Sequence, residues 1–392
     1  MEEDFFKTDL RLKKRVRDSY CLLLAIVENV KSAEEAFRTD CDQKLSLRLL
    51  LQTIHMIQAQ DNAFNWLVKE FYKIIFKLSK NLEDGGDDCL EMLSRACFEY
   101  GVVLAETDCL EEAISYMEKS LETCKGTLWY TNDIDRNFLQ EDVCTKLCET
   151  LLRIAALSSK KTPEVSAAFA DRAAQAIYGV GTKESPILFC LAKLRQSEYL
   201  ISNQNFKEAF DVLNEIQKHI MANDAPRNKC EFYLWLGVCH FNLSPKNINL
   251  AKRKLKLSLN LSDEHNFADL KAKTLLYLGK IHSKTTSSHA EARQCFIEAK
   301  ELFQKLRDFE NEKLARFLMA QLRAYQIFPN YLELIQRASN SFCYLYDLMQ
   351  WQQRLLPFWN EDGELRHHED EIQCILEENL NDESCKSNEQ IK

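Results

Sequence analysis

Two heptads, LWLGVCH at residues 234–240 and LYLGKIH at residues 276–282, lie 42 residues apart and agree at four of seven positions: Leu, Leu, Gly and His. An aromatic residue, Trp235 or Tyr277, holds the second place in each. Near-identity at a fixed interval is the mark of stacked supersecondary units, each too small to bury its own apolar face. A chain that repeats itself in this way must fold as an array, and its helix-rich composition makes that array helical.

The spacing around each glycine resembles the tetratricopeptide-type (TPR) unit. That unit pairs two antiparallel helices, with one small residue where they cross and another on the second helix. Gly237 pairs in this reading with Ala251, Leu255 and Ser258, and Gly279 with Ala292, Phe296 and Ala299. The same intervals recur as Gly101, Leu104, Leu110, Ala113, Met117 and Ser120, and again as Ser197, Leu200, Phe206, Ala209, Leu213 and Ile216. Ser197 to Gly237 is 40 residues, longer than the 34 of the shortest such repeats, so helices or loops must be extended. The expected fold is all-α, a right-handed superhelical solenoid of TPR-like antiparallel helix pairs. Three regions are expected: N-terminal helices over 1–80, repeats over 81–350, and a capping helix with an acidic tail over 351–392.

Only nine glycines and six prolines occur, too few for the frequent turns of an all-β protein. Pro163, Pro186 and Pro245 each follow Thr or Ser, the order of a cap and a first helical turn, and Pro226, Pro329 and Pro357 are placed between helices. Phe64, Leu67, Val68, Phe71, Ile75 and Leu78 form one helical stripe, and helices are expected from about Lys7 onward. The apolar run at 20–27 is far short of the roughly 20 residues that cross a bilayer, and the acidic start Met1-Glu2-Glu3-Asp4 is unlike a secretory signal. An intracellular protein with no membrane contact is expected. The tail beyond Asn360 is read as one amphipathic helix through Leu365, Ile372, Ile375, Leu376 and Leu380, ending in a polar stretch.

Fifteen scattered cysteines, with no CxxC, read as reduced and mostly buried thiols. Cys144 and Cys148 lie one turn apart, but neither a histidine nor a third cysteine is near them in sequence, so no metal is expected. The net charge of −9 disfavours a general nucleic-acid binder. The adjacent glycines Gly85 and Gly86 sit in EDGGDD, whose acidity repels a nucleotide, so no cofactor is expected either. His240 and His282 occupy a position that normally carries a packed bulky residue. No nucleophile, base and orienting group are brought together, and the expectation is a protein that is not an enzyme.

What remains is protein contact. Residues 11–17, RLKKRVR, are a candidate import signal or contact for an acidic partner, and residues 252–256, KRKLK, read as a solvated helix face. If the first helices line a concave surface, its inward positions include Arg95, Phe98, Glu198, Glu231, Phe241, Lys273, Leu276 and Lys280. A groove of both signs suits a helix or extended peptide with patterned charge. Val238 and Lys280 follow the two glycines where carboxylate-clamping co-chaperones would have asparagine, which argues against that role.

The segment CFEYGVVLAETDCLEEAISYMEKSLETC, residues 97–124, is followed by LCETLLRIAALSS and then by AFADRAAQAIYGVGTKESPILFCLAKLRQSEYLI. This order resembles the meiotic Zip/sporulation family that includes testis-expressed TPR proteins. The resemblance spans about residues 89–201 and rests on Gly101, Val102, Leu151, Leu152, Ala155, Ala156, Ala173, Ala176, Pro186, Leu188 and Lys193. It departs from the family in length, members being generally longer, and around Tyr116 and Met117, where the tryptophan or other aromatic often found in the second helix is replaced. The resemblance implies a nuclear scaffold that recruits synapsis and crossover factors through protein contacts, and it transfers no catalytic residue.

Overall fold

A computed structural model describes residues 16, 19–38, 43–60, 64–79, 87–131, 137–182, 184–284, 288–359 and 365. Among them the chain is helical throughout, with two isolated antiparallel bridges, Tyr130 to Phe138 and Trp359 to Leu365, in place of any strand. The helices are α1 (Tyr20–Arg38), α2 (Gln43–Gln58), α3 (Asn65–Ser79), α4 (Asp87–Glu106), α5 (Leu110–Cys124), α6 (Leu139–Ser158), α7 (Pro163–Ile177) and α8 (Ser185–Ser202). They continue as α9 (Phe206–Ala222), α10 (Pro226–Leu243), α11 (Ile248–Glu264), α12 (Ala268–His282), α13 (His289–Lys305), α14 (Phe309–Ala338) and α15 (Phe342–Arg354). The fold is all-α, built of TPR-like antiparallel helix pairs.

Five of these helices bury one and the same frame, at i, i+4, i+7 and i+11. In α5 it is Ala113, Met117, Ser120 and Cys124, and in α7 Ser166, Ala170, Ala173 and Ile177. In α9 it is Ala209, Leu213, Ile216 and Ile220, in α11 Ala251, Leu255, Ser258 and Ser262, and in α13 Ala292, Phe296, Ala299 and Phe303. None of these twenty side chains is more than 1% exposed. The frame is one stripe of a 3.6-residue helix, with a small residue opening it so that a neighbouring backbone can approach.

Where the approach is closest, the partner helix has glycine. A Cβ built on Gly101 would stand 2.8 Å from Met117 Cγ and 3.2 Å from the Ala113 carbonyl oxygen. On Gly279 it would stand 2.5 Å from the Phe296 ring. Ser197, the counterpart in α8, is fully buried and donates its hydroxyl hydrogen to the Lys193 carbonyl at 2.9 Å.

Four three-residue turns share one geometry. Asp108, Gln204, Asn266 and Arg307 lie in the left-handed region at φ of 57 to 64°. The following amide in each donates back across five residues: Cys109 to Leu104, Asn205 to Leu200, Phe267 to Ser262 and Asp308 to Phe303, all at 2.9 Å. These are Schellman closures, which usually place glycine at the left-handed position. None of the four uses it here.

The chain divides into two compact units, Met1–Leu243 and Ser244–Lys392. In the first, α2, α4, α6, α8 and α10 touch in succession as one layer, and each of α5, α7 and α9 packs between its sequence neighbours. A tyrosine-rich stack, Tyr72, Phe76, Tyr100 and Tyr116, joins α3, α4 and α5 with centroids 4.7 to 5.5 Å apart between helices. In the second unit Leu275, Leu276, Phe296, Phe303 and Leu322 form a core across α12, α13 and α14. Gly237 is buried on α10 and Ala251 on α11, so the pair read from the sequence falls on either side of the division.

Several expectations are corrected. Pro329 lies inside α14 rather than between helices. Its ring removes the donor that the Tyr325 carbonyl would use, a loss tolerable at an exposed position on a long helix. Ser185 does not cap α8. Glu184 stands at the cap, and the Ser185 hydroxyl donates to the Val180 carbonyl. Pro245 opens a single 3₁₀ turn, Pro245–Asn247, before α11. At Leu365 a bridge to Trp359 stands where a helix was expected, and Leu365 packs with Ile327, Leu334 and Phe358. Most of the tail, nearly all of 11–17, the start of the helical region expected from about Lys7, and the EDGGDD loop's Gly85 and Gly86 lie outside the described residues.

Candidate partner-binding face

The layer α2, α4, α6, α8 and α10 carries the polar geometry of the first unit. Between α2 and α4 runs a cleft of about 710 Å³ floored by Leu51 and Met92. Charges line it in pairs: Lys44 with Asp88, Arg95 with Glu91 at 2.6 Å, and His55 Nε2 with Glu99 at 3.0 Å. Tyr72, fully buried behind them on α3, donates its hydroxyl hydrogen to Glu99 at 2.9 Å. The hydrogen bond to Glu99 raises the His55 pKa against the opposing effect of burial. Burial, and then the Glu99 carboxylate, hold the Tyr72 phenol well above its usual range. Arg48 lies exposed on the same wall with no ion-pair partner among the described residues.

Arg95 therefore lines this cleft. Phe98, on the same helix, is 7% exposed and packs against Cys124, Leu139 and Val143, so it supports the wall and offers no surface. Further along the layer, Arg195 of α8 holds Glu231 of α10 through Nη1 at 2.7 Å and Nη2 at 3.1 Å, and also pairs with Glu198. Trp235 Nε1 donates to Glu231 at 3.3 Å. Burial opposes the Arg195 charge, but Glu231 and Glu198 together outweigh it and hold the guanidinium above its usual range. Glu231 is 1% exposed, its oxygens already engaged, and it acts as a strut between α8 and α10. Glu198 and Phe241 are half-buried.

In the second unit Leu276 is a core residue beside Phe296, whereas Lys273 and Lys280 are half-buried on α12. Lys280 Nζ stands 4.6 Å over the Tyr277 ring, and burial lowers its pKa. His282 Nδ1 lies 2.7 Å from Glu291. Burial first, then Lys252 and Lys256, lower its pKa despite that carboxylate. His240 packs edge-on to Phe210 at 5.2 Å. Both histidines sit in packed surroundings.

Among the described residues no group of three or more His, Cys, Asp or Glu is arranged to hold a metal ion. Every cysteine with a displaced pKa is displaced upward by burial, among them Cys144 to about 11 and Cys148 to about 12. Activated thiolates need the opposite direction. No helix among the described residues is long and apolar enough to cross a membrane.

A groove lined by α13 and α14 was not anticipated. About 610 Å³ in volume, it is lined by Arg293 and Lys300 of α13 and by Arg316, Met319, Leu322 and Arg323 of α14. The sequence signal was present: two basic pairs, each spaced seven residues, on consecutive helices.

No family model and no curated protein matches the sequence. Solved structures are similar at low identity. The apo form of RapI is 14% identical, with 88% of this chain and 94% of that one covered at a TM-score of 0.47. Aspartyl phosphate phosphatase F from Bacillus subtilis is 13% identical, covering 88% and 96% at 0.41. A signal-transduction ATPase with a tetratricopeptide repeat sensor, from Pyrococcus horikoshii, is 14% identical at 0.39. The match covers 84% of this chain but only 48% of that ATPase, about half its length.

Proposed function

We propose that the protein is a non-enzymatic scaffold that captures segments of partner proteins on the α2–α4–α6–α8–α10 layer. The observation that carries this reading is the α2–α4 cleft, an apolar floor between walls of paired opposite charges with Arg48 projecting beside it. Such pairs reorganise at small cost when exposed. A peptide of patterned charge can exchange them for its own while its apolar side chains meet Leu51 and Met92.

Within that role, the resemblance over residues 89–201 supports a place in meiotic chromosome synapsis and crossover formation, in the nucleus. A general cytoplasmic adaptor or a subunit of a large complex is the alternative. Lys273 and Lys280 remain proposed contacts of the second unit. Because Lys280 also covers Tyr277, its reversal would disturb packing as well as charge.

The test is affinity purification from germ-line and somatic cells with the wild-type chain and with Lys44→Glu/Arg48→Glu, whose side chains are exposed. Loss of the specific partners with an unchanged melting temperature is expected. Retention of all partners by the variant would remove the cleft from the mechanism. Chromosome proteins recovered from germ-line nuclei alone support the meiotic role, and a shared cytoplasmic set supports the adaptor.

A further inference from the structure

The α13–α14 groove holds four cations and no acidic side chain in its lining. Arg293 and Lys300 lie two turns apart on one helix, as do Arg316 and Arg323 on the next, so each pair is separated by about 10 Å along its axis. Arg316 is held by Glu312 at 2.5 Å. Arg293, Lys300 and Arg323 have no anionic partner among the described residues. Between the pairs Met319 and Ala320 provide an apolar floor. Like charges gathered over an apolar strip repel one another unless an anionic, amphipathic occupant lies among them.

The chain's own sequence contains such an occupant. Residues 369–383, EDEIQCILEENLNDE, hold seven carboxylates and no basic residue, with Ile372, Ile375, Leu376 and Leu380 interspersed. The last described residue, Leu365, is anchored beside Ile327 of α14. The neighbouring Gln326 lines the groove. The acidic stretch begins four residues after that anchor, and the 27 residues beyond Leu365 far exceed the roughly 15 Å from Gln326 to Arg316 along the helix. We propose that residues 369–383 dock in cis in the α13–α14 groove, their carboxylates on Arg293, Lys300 and Arg323 and their apolar side chains on Met319 and Ala320. The tail then occupies a surface that an acidic partner would otherwise take, and any such partner must displace it.

Zero-length carbodiimide coupling of the full-length chain tests this, since Lys300 is the one amine lining the groove among the described residues. The expected product is an amide between Lys300 and a carboxylate of residues 369–383. It should form in the monomer, with a yield independent of protein concentration. Arg293→Glu/Arg323→Glu should lower that yield about tenfold, and adding Glu377→Lys/Glu378→Lys should restore it. Because groove reversal can perturb α14, a second variant, Glu377→Gln/Glu378→Gln/Asp382→Asn/Glu383→Gln, leaves every described residue intact and should lower the yield similarly. Coupling found only in cross-linked dimers would overturn the proposal in favour of a second copy. Absence of the Lys300 product, or a yield indifferent to both sets of variants, would overturn it altogether.

Discussion

The hairpins α4–α5 and α12–α13, one in each compact unit, share a glycine-led signature but differ in two respects. From Gly101 to Ala113 is 12 residues, and from Gly279 to Ala292 is 13. The connection is three residues in the first and six in the second, while α12 ends two residues sooner after its glycine than α4 does. In the first unit the Schellman turn at Asp108 closes the pair itself, whereas in the second the same turns, at Asn266 and Arg307, join one pair to the next. The glycines also face different neighbours, a methionine stem in one case and a phenylalanine ring in the other. Conserving the packing frame while moving the tight turn shows that the repeat is defined by the stripe each helix buries, and that the loop is free to change.

The difference between flexible and rigid neighbours should show most strongly at the two glycines. Gly279→Ala forces a methyl group against the Phe296 ring and should cost about 1–3 kcal/mol, net of the helix propensity that alanine contributes. Gly101→Ala meets Met117, which can swing, although the Ala113 carbonyl limits the adjustment. Its cost should fall below about 1 kcal/mol. Urea unfolding of both variants measures this, and equal costs would show that the ring is no stiffer than the methionine. Adding Phe296→Leu to Gly279→Ala should recover part of the loss, a coupling that a double-mutant cycle isolates.

The turns predict a smaller effect of opposite sign. Gln204→Gly and Arg307→Gly each relieve a side chain held at positive φ, at 64° and 57°, and should stabilise by about 0.5–1 kcal/mol. If only Gln204→Gly stabilises, the turn that closes a pair and the turn that joins pairs are under different constraint.

Smallest of all should be a pair of opposed pH effects. Glu99 raises His55 above its ordinary 6.5, so the stability from this contact is full below pH 6.5 and fades as pH rises through the folded value. Burial lowers His282, so its neutral form is preferred. The stability tied to it is present above 6.5 and is lost as pH falls through the folded value. His55→Gln should therefore lower the melting temperature only on the acid side, and His282→Gln should flatten the acid loss. Identical pH profiles for the two variants would refute the assignment.

Much of the fold was legible because glycine and alanine at fixed intervals leave few alternatives to close helix pairing. α7 was harder, since its frame, Ser166, Ala170, Ala173 and Ile177, has no glycine partner to announce it. Pro329 misled because proline argues for a boundary on local grounds, while α14 is long enough to absorb one lost hydrogen bond. Of the anticipated groove, Arg95 lines a cleft, but Phe98, Glu231 and Leu276 are buried. Helical spacing gives direction around one axis and is silent on how far the neighbouring helix covers it. The basic groove escaped for a related reason: Arg293, Lys300, Arg316 and Arg323 become one site only when α13 and α14 pack.

The buried sulfurs give the molecule an internal clock. Twelve described cysteines carry free thiols, and burial pushes Cys148 and Cys239 up to about 12 and Cys190 and Cys295 to about 11. A buried thiol held so far up stays protonated at neutral pH and is shielded from solvent, so alkylating reagents reach it in practice only when its helix opens. Timed alkylation followed by peptide mapping would then report opening rates at Cys148, Cys190 and Cys239, giving the first unit its own chronometer without an added label.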